Sequence, residues 1–229
     1  MLEGLSPEDF QVTGQRIAKA ESELLVPCRP EKIICTGLNY RDAVLEDGVS
    51  FPTEPLLFLK PPSAIILSGE TIRYPSMARD VTCEAELGIV IGKGGNKIPE
   101  HDAKQHIWGY IITNDMTARD LQRRDGQWTR AKSFDTFLPL GSEIVNEIDP
   151  QNLHITTLCN DVAVQDGNTQ DMIFSIPKLV SYISNVMTLR PGDLILTGTP
   201  GGYGKPVGIG DRINIRIEKL GEIMNTISV

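Results

Sequence analysis

Along most of the chain, apolar residues run together or alternate with polar ones in short segments broken by Gly and Pro. That texture predicts strands. KIICTGLNY (32–40) reads as a strand ending at Gly37, and LLFLK (56–60) as a second one stopped by Pro61 and Pro62. AIILSGETIRYP (64–75) reads as two short strands around Ser68 and Gly69, and VTCEAELGIVIGKGGN (81–96) as one long β-branched strand. WGYIITND (108–115) follows as a buried strand. SEIVNEI, HITTLCND, VAVQDG, DLILTGTP and RINIRIEKLG then predict a succession of short ones.

Helical spacing is rarer. IPKLVSYISNVM (176–187) repeats apolar residues at helical intervals. PEHDAKQHI (99–107) has an acidic first turn, and TARDLQRRDG (117–126) ends on a glycine suited to a C-cap. Ser6-Pro7-Glu8-Asp9 looks like a capped helix start, and the charged, turn-forming stretch 40–54 predicts a short helix and a mobile loop. No linker, repeat or low-complexity segment interrupts this order. The expectation is one β-rich α+β catalytic domain over residues 1–229, with 1–31 as a small N-terminal appendage.

Composition narrows the class. With 21 Gly and 15 Pro in 229 residues and no repeat period, the chain has the turn supply of a β-rich domain. Thirty acidic against 22 basic side chains give a net charge of −8, which argues against nucleic acid as a partner because phosphate contact needs a basic face. No apolar run approaches the roughly 20 residues of a membrane helix. Cys28, Cys35, Cys83 and Cys159 make no CxxC pair, and the N-terminus MLEGLSPEDF lacks the basic and apolar blocks of a signal peptide. A cytoplasmic protein with free thiols is expected.

The chemistry concentrates at Glu84-Ala85-Glu86. Residues two apart on a strand share a face, so two carboxylates would stand side by side within an apolar segment. Buried together they repel, and protonation, a basic partner or a cation must relieve them; on a solvated edge nothing needs relief. Asp115 closes the next buried strand, where it serves either as a helix cap or as a third carboxylate of the same set. Three oxygen ligands without His or Cys suit Mg²⁺ or Mn²⁺ and not zinc. Lys60, Arg119, Lys132 and Lys205 are basic residues able to favour an anion locally, although Arg119 beside Asp120 reads more simply as scaffold.

Six strings occur in order: GLNY (37–40), CEAELGIVIG (83–92), YIITNDMTARDLQ (110–122), AKSFDTFLPLG (131–141), VQDGNTQDMIF (164–174) and PGDLILTGTPGGYG (191–204). Together, over about residues 30–225, they resemble the fumarylacetoacetate hydrolase family, in particular its decarboxylase/isomerase members of homoprotocatechuate breakdown. The resemblance implies a mixed β-sandwich roll that dimerises. It implies an ExE…D metal set, here Glu84, Glu86 and Asp115, holding Mg²⁺ or Mn²⁺. It implies small 2-oxo acids or their enols as substrates. Lys132 falls on the family lysine near metal and substrate, Gln165 on a substrate-site glutamine, and Thr199 with Gly198 on the loop that meets the substrate carboxylate.

A divalent Lewis acid on a 2-oxo acid stabilises an enolate, which ketonisation, decarboxylation and C–C cleavage share. Lys132 would hold the developing negative charge. One departure bears on the choice. The family's hydrolases carry a lid His followed three residues later by a Glu; here Glu46 falls on the Glu position, but Ala43 stands where the His would be. Alanine cannot activate water. The expected activity is therefore decarboxylation or isomerisation, as in 5-oxopent-3-ene-1,2,5-tricarboxylate decarboxylase and 2-hydroxyhepta-2,4-diene-1,7-dioate isomerase, with Lys132 or Glu46 as proton carrier. Acylpyruvate hydrolysis, oxaloacetate decarboxylation and a silent ligand-binding homologue are the alternatives.

Overall fold

The computed structural model describes residues 25–229; the helix start expected at Ser6 lies outside them. In chain order the elements are β1 (Ile33–Gly37), α1 (Arg41–Asp47), β2 (Leu56–Lys60), β3 (Ile65–Leu67), β4 (Thr71–Arg73), β5 (Val81–Thr82), β6 (Ala85–Ile91), β7 (Ile107–Asn114), β8 (Thr117–Ala118), α2 (Arg119–Asp125), α3 (Thr129–Lys132), β9 (Leu138–Leu140), β10 (His154–Cys159), β11 (Val162–Asn168), α4 (Ile176–Val186), β12 (Leu194–Leu196), β13 (Pro206–Val207), β14 (Arg212–Ile217) and β15 (Gly221–Ser228).

The strands form a seven-stranded sheet in the order β2-β1-β12-β6-β7-β9-β3, a five-stranded sheet β11-β10-β14-β15-β4, and a small sheet β13-β5-β8. This sheet-rich roll with a few short helices is the architecture expected from the sequence. The central strand β6 is buried at every position because both its faces are covered. Ala85, Leu87, Ile89 and Ile91 enter a large core with residues of the second sheet, among them Ile155, Ile213 and Ile215. Val90 faces the other way, into a smaller cluster with Ile33, Cys35, Leu194 and Leu196. The turn chemistry also behaves as its residues dictate. Asn160 and Asp161 both take positive φ in the two-residue connection of β10 to β11, the conformation that hairpin loops favour. Gly126 caps α2 in the left-handed region.

Several elements differ from expectation. The segment 81–96 is not one strand: β5 belongs to the small sheet and β6 to the large one, and Cys83-Glu84 occupies the break between them. β3 and β4 flank Ser68-Gly69 as expected but join different sheets, β3 pairing with β9 and β4 with β15. Glu100–His106 is a 3-10 turn and not an α-helix. SEIVNEI (142–148) holds no strand; Val145 makes one isolated bridge to Tyr110. The short α3 and the terminal strand β15 carry no strong sequence signal of their own.

Candidate active site

The break between β5 and β6 builds the site. Glu84 sits in it, Glu86 is the second residue of β6, and Asp115 follows directly on the paired strand β7. The register sets Ala85 opposite Asn114, and the Asp115 N–H donates to the Glu84 carbonyl at 2.9 Å. Asn114 Oδ1 in turn accepts from the Glu84 N–H at 3.1 Å, fixing the break. One carboxylate oxygen from each of Glu84, Glu86 and Asp115 lies within 4.8 Å of the others, and all three residues are buried.

Two buried lysines and the half-buried Arg119 answer these carboxylates unevenly. Lys132 Nζ, at the end of α3, donates to Glu84 Oε2 at 2.9 Å and Asp115 Oδ2 at 2.7 Å. Lys60 Nζ, at the end of β2, meets Asp115 Oδ1 at 2.6 Å. Arg119, the first residue of α2, reaches Glu84 Oε1 at 2.9 Å, and the Thr117 hydroxyl donates to the same oxygen at 2.6 Å. Burial pushes the Glu84 carboxyl up, but Lys132, Arg119 and the Thr117 hydroxyl outweigh it and bring the value down to about 2. Lys132 also stays charged: burial opposes its ammonium, and Asp115 and Glu84 hold it above its ordinary range.

Glu86 is different. Among the described residues it has no basic side chain within ion-pair distance, and it accepts only the Gly198 N–H, on Oε2 at 2.6 Å. Burial, then Asp115 and Glu84, push its carboxyl well above the ordinary carboxylate range. A carboxylate left uncompensated in a ring of oxygen donors is what a divalent cation would neutralise. The donor set fits Mg²⁺ or Mn²⁺. Cys35 lies nearby, but burial and then Asp115 raise its thiol well above its usual value, so it supplies no soft ligand.

Glu84, Glu86, Arg119 and Lys132 line a cavity of about 280 Å³ with Thr36, Ala43, Asp47, Gln122, Trp128, Thr199 and Tyr203. A larger groove of about 840 Å³ runs past Trp108, Tyr110, Met172 and Pro177. It gathers no such set of buried charges, and convergent polar groups, not volume, mark a site.

The expected site residues separate into two groups. Glu84, Glu86, Lys132 and Thr199 line the cavity, and Asp115 sits behind them at 0% exposure. Gln165 and Gly198 do not line it. The Gln165 amide donates to Thr199 Oγ1 at 2.8 Å and the Pro200 carbonyl at 2.9 Å, and accepts from the Ala85 N–H and the Thr157 hydroxyl. With these four hydrogen bonds Gln165 orients Thr199 from outside the cavity. The Gly198 N–H is likewise committed to Glu86. Glu46 is exposed, and its Oε2 accepts from the Gly202 N–H at 2.5 Å outside the cavity, while Ala43 on the same helix is buried and faces in. Arg119 is a correction: the residue read as scaffold beside Asp120 instead lines the cavity and pairs with Glu84. Lys60, one of the basic residues expected to favour an anion, pairs with Asp115 behind the cavity, and Tyr203, not among the site residues expected from sequence, lines it.

The fumarylacetoacetate (FAA) hydrolase C-terminal family model matches residues 32–228. The chain belongs to this family. It is 43% identical over 223 residues to the mitochondrial oxaloacetate tautomerase of Xenopus laevis, covering 92% of this chain and 70% of that one. The solved 2-hydroxyhepta-2,4-diene-1,7-dioate isomerase of Mycobacterium marinum superposes with a TM-score of 0.88 at 42% identity, over 95% of this chain and 82% of that one. The fumarylpyruvate hydrolase of Pseudomonas aeruginosa, solved with Mn²⁺ and pyruvate, gives a TM-score of 0.82 at 34% identity, over 87% and 90%. The chain is thus a fumarylacetoacetate hydrolase-family enzyme, and its relatives carry isomerase, tautomerase and hydrolase activities by name. No helix among the described residues is long and apolar enough to cross a membrane.

Proposed function

We propose that this protein is a Mg²⁺- or Mn²⁺-dependent isomerase, tautomerase or decarboxylase of 2-oxo and 2-hydroxydienoic acids, and not a C–C hydrolase. The observation that carries this reading is the lid helix α1: Ala43 faces the cavity, and the Glu46 carboxylate lies outside it, against the Gly202 N–H. The position of the lid histidine is thus filled by a side chain that cannot activate water. Glu84, Glu86 and Asp115 would hold the cation, which when bound supplies Lewis-acid stabilisation of charge developing on the 2-oxygen.

The chain's own groups do the rest. Lys132 Nζ, a buried ammonium, lies where negative charge grows and is the acid that returns a proton to carbon. Arg119 uses three of its five N–H donors on Thr82, Gln122 and Glu84, leaving donors for a substrate carboxylate. Thr199, held by Gln165, presents its side to the same cavity. The relatives named for dienoate isomerisation and oxaloacetate tautomerisation support substrates with two carboxylates. The free cysteines support a reducing compartment such as the cytoplasm. The exposed Leu56 and Leu59 of the edge strand β2 support a homodimer built on the single catalytic unit.

Proton NMR in D₂O tests the reading. The metal-loaded protein is given an acylpyruvate, oxaloacetate and 2-hydroxyhepta-2,4-diene-1,7-dioate, each with an EDTA control. Metal-dependent deuterium entry into the dienoate or oxaloacetate, or loss of CO₂, without acylpyruvate cleavage is expected. Rapid cleavage to pyruvate and a carboxylic acid would overturn it. Ala43→His adds a second check: a water-activating base restored inside the cavity should raise acylpyruvate cleavage by about tenfold or more. A wild type that already cleaves fast and gains nothing from the histidine would show that the lid does not decide the reaction.

A further inference from the structure

Helix α1 carries three carboxylates on one side, and all three engage the loop that follows Thr199. Asp42 Oδ2 accepts the Gly201 N–H at 2.8 Å, and Glu46 Oε2 accepts the Gly202 N–H at 2.5 Å. Asp47 and Tyr203 line the same cavity, where burial and then Asp47 raise the Tyr203 phenol. A side chain at Gly201 would press on Asp42 and Glu46, and one at Gly202 would strike the Val164 carbonyl at 2.2 Å. Glycine at 201 leaves room for the helix carboxylates, and glycine at 202 seats the loop against β11. Tyr203 has a second partner. Its ring lies under the Arg119 guanidinium at 4.3 Å, and both residues line the cavity. Tyr203 therefore stands between the lid residue Asp47 and Arg119, which its ring faces.

We propose that Tyr203 is a positioning residue that couples closure of α1 to the placement of Arg119: the lid is latched through Asp42, Glu46 and Asp47, and the latch ends on the ring that holds the guanidinium. In this chain the lid acidic residues close the site and do not activate water. Substrate binding that engages Arg119 would then also hold the lid shut, and release would require the Asp47–Tyr203 contact to open. The part of this inference that concerns Arg119 rests on the functional reading above; the latch does not.

Two readouts separate the parts. The first is hydrogen–deuterium exchange of the 40–50 segment in the full-length protein without substrate. Tyr203→Phe keeps the ring over Arg119 and loses only the hydroxyl; Asp47→Asn weakens the same contact from the other side. Each should speed exchange of that segment by about three- to tenfold, the worth of one partly exposed charged hydrogen bond. The double variant should be no faster than either single, since both remove one interaction. Unchanged exchange, or effects that add, would overturn the latch. The second readout is steady-state kinetics on whichever 2-oxo acid the wild type turns over. Tyr203→Phe should raise KM by a similar factor with kcat within about twofold, and Tyr203→Ala, which also frees Arg119, should raise KM further. Equal KM in Tyr203→Phe and Tyr203→Ala would overturn the coupling. A wild type that turns over no 2-oxo acid would sink the functional reading while the exchange result still judged the latch.

Discussion

Lys132→Met should cost about three orders of magnitude in kcat while leaving the fold and the cation affinity in place. Lys132 Nζ is the ammonium that bridges Glu84 Oε2 and Asp115 Oδ2 at 2.9 and 2.7 Å. Losing a preorganised charge aimed at a developing oxyanion costs about 10²–10³ in rate, and losing a proton donor costs about 10²–10⁴. Folding should survive because neither carboxylate is orphaned. Glu84 keeps Arg119 at 2.9 Å, and Asp115 keeps Lys60 at 2.6 Å. Methionine fills the volume against Phe58, whose ring lies 4.9 Å from the lysine nitrogen. Cation affinity should hold or rise, since an ammonium that competes for two of the three ligand residues is gone. Isothermal titration with Mn²⁺, set beside deuterium exchange into the substrate, checks both halves. A variant that loses Mn²⁺ binding in parallel with turnover would make Lys132 part of the site's architecture and not of its chemistry.

The sequence disclosed the three carboxylates but not their neighbours, and the reason is distance along the chain. Glu84 and Glu86 stand out because acidic residues interrupt an apolar strand, a local signal. The pairing of Glu84 with Lys132 and of Asp115 with Lys60 spans 48 and 55 residues of chain, and no local pattern announces it. Arg119 was assigned to its sequence neighbour Asp120 for the same reason. In the fold its chain leaves the β7–β8 corner pointing at Glu84, while Asp120 Oδ2 meets the Arg79 N–H. The strand pattern was legible wherever the apolar face was wide, as in β6 and β7. It misled at Cys83-Glu84, where apolar composition continues across a change of sheet. SEIVNEI carries three β-branched residues yet makes one bridge, because sheet pairing, not composition, decides the outcome. Gln165 and Glu46 sit at the positions the resemblance selects, but their hydrogen bonds are committed elsewhere.

Glu86→Gln and Asp115→Asn should both abolish high-affinity cation binding, yet differ sharply in stability. Glu86 is the carboxylate with no cationic partner among the described residues, and its one hydrogen bond comes from the Gly198 N–H, which a glutamine oxygen also accepts. Neutralising it removes repulsion with Asp115 and Glu84, the two charges that, after burial, raise its carboxyl. A group whose folded value is raised lies on the side where its ionised form opposes folding, so in EDTA near neutral pH the Gln variant should be as stable as wild type or more so. Asp115 is the opposite case. It holds two ammonium groups, and Lys60 has otherwise only the Met116 carbonyl, at 3.2 Å. Both lysines are buried, at 2% and 1% exposure, so Asp115→Asn leaves buried positive charge uncompensated, at a cost of about 3–5 kcal/mol. For a chain of this length that is a fall in Tm of roughly 6–20 °C. Calorimetry of both variants in EDTA, with Mn²⁺ titration of each, decides it. A Glu86→Gln variant that melts as low as Asp115→Asn would mean that Glu86 is held by cations after all, and the case for a divalent ion beside it would fall with it.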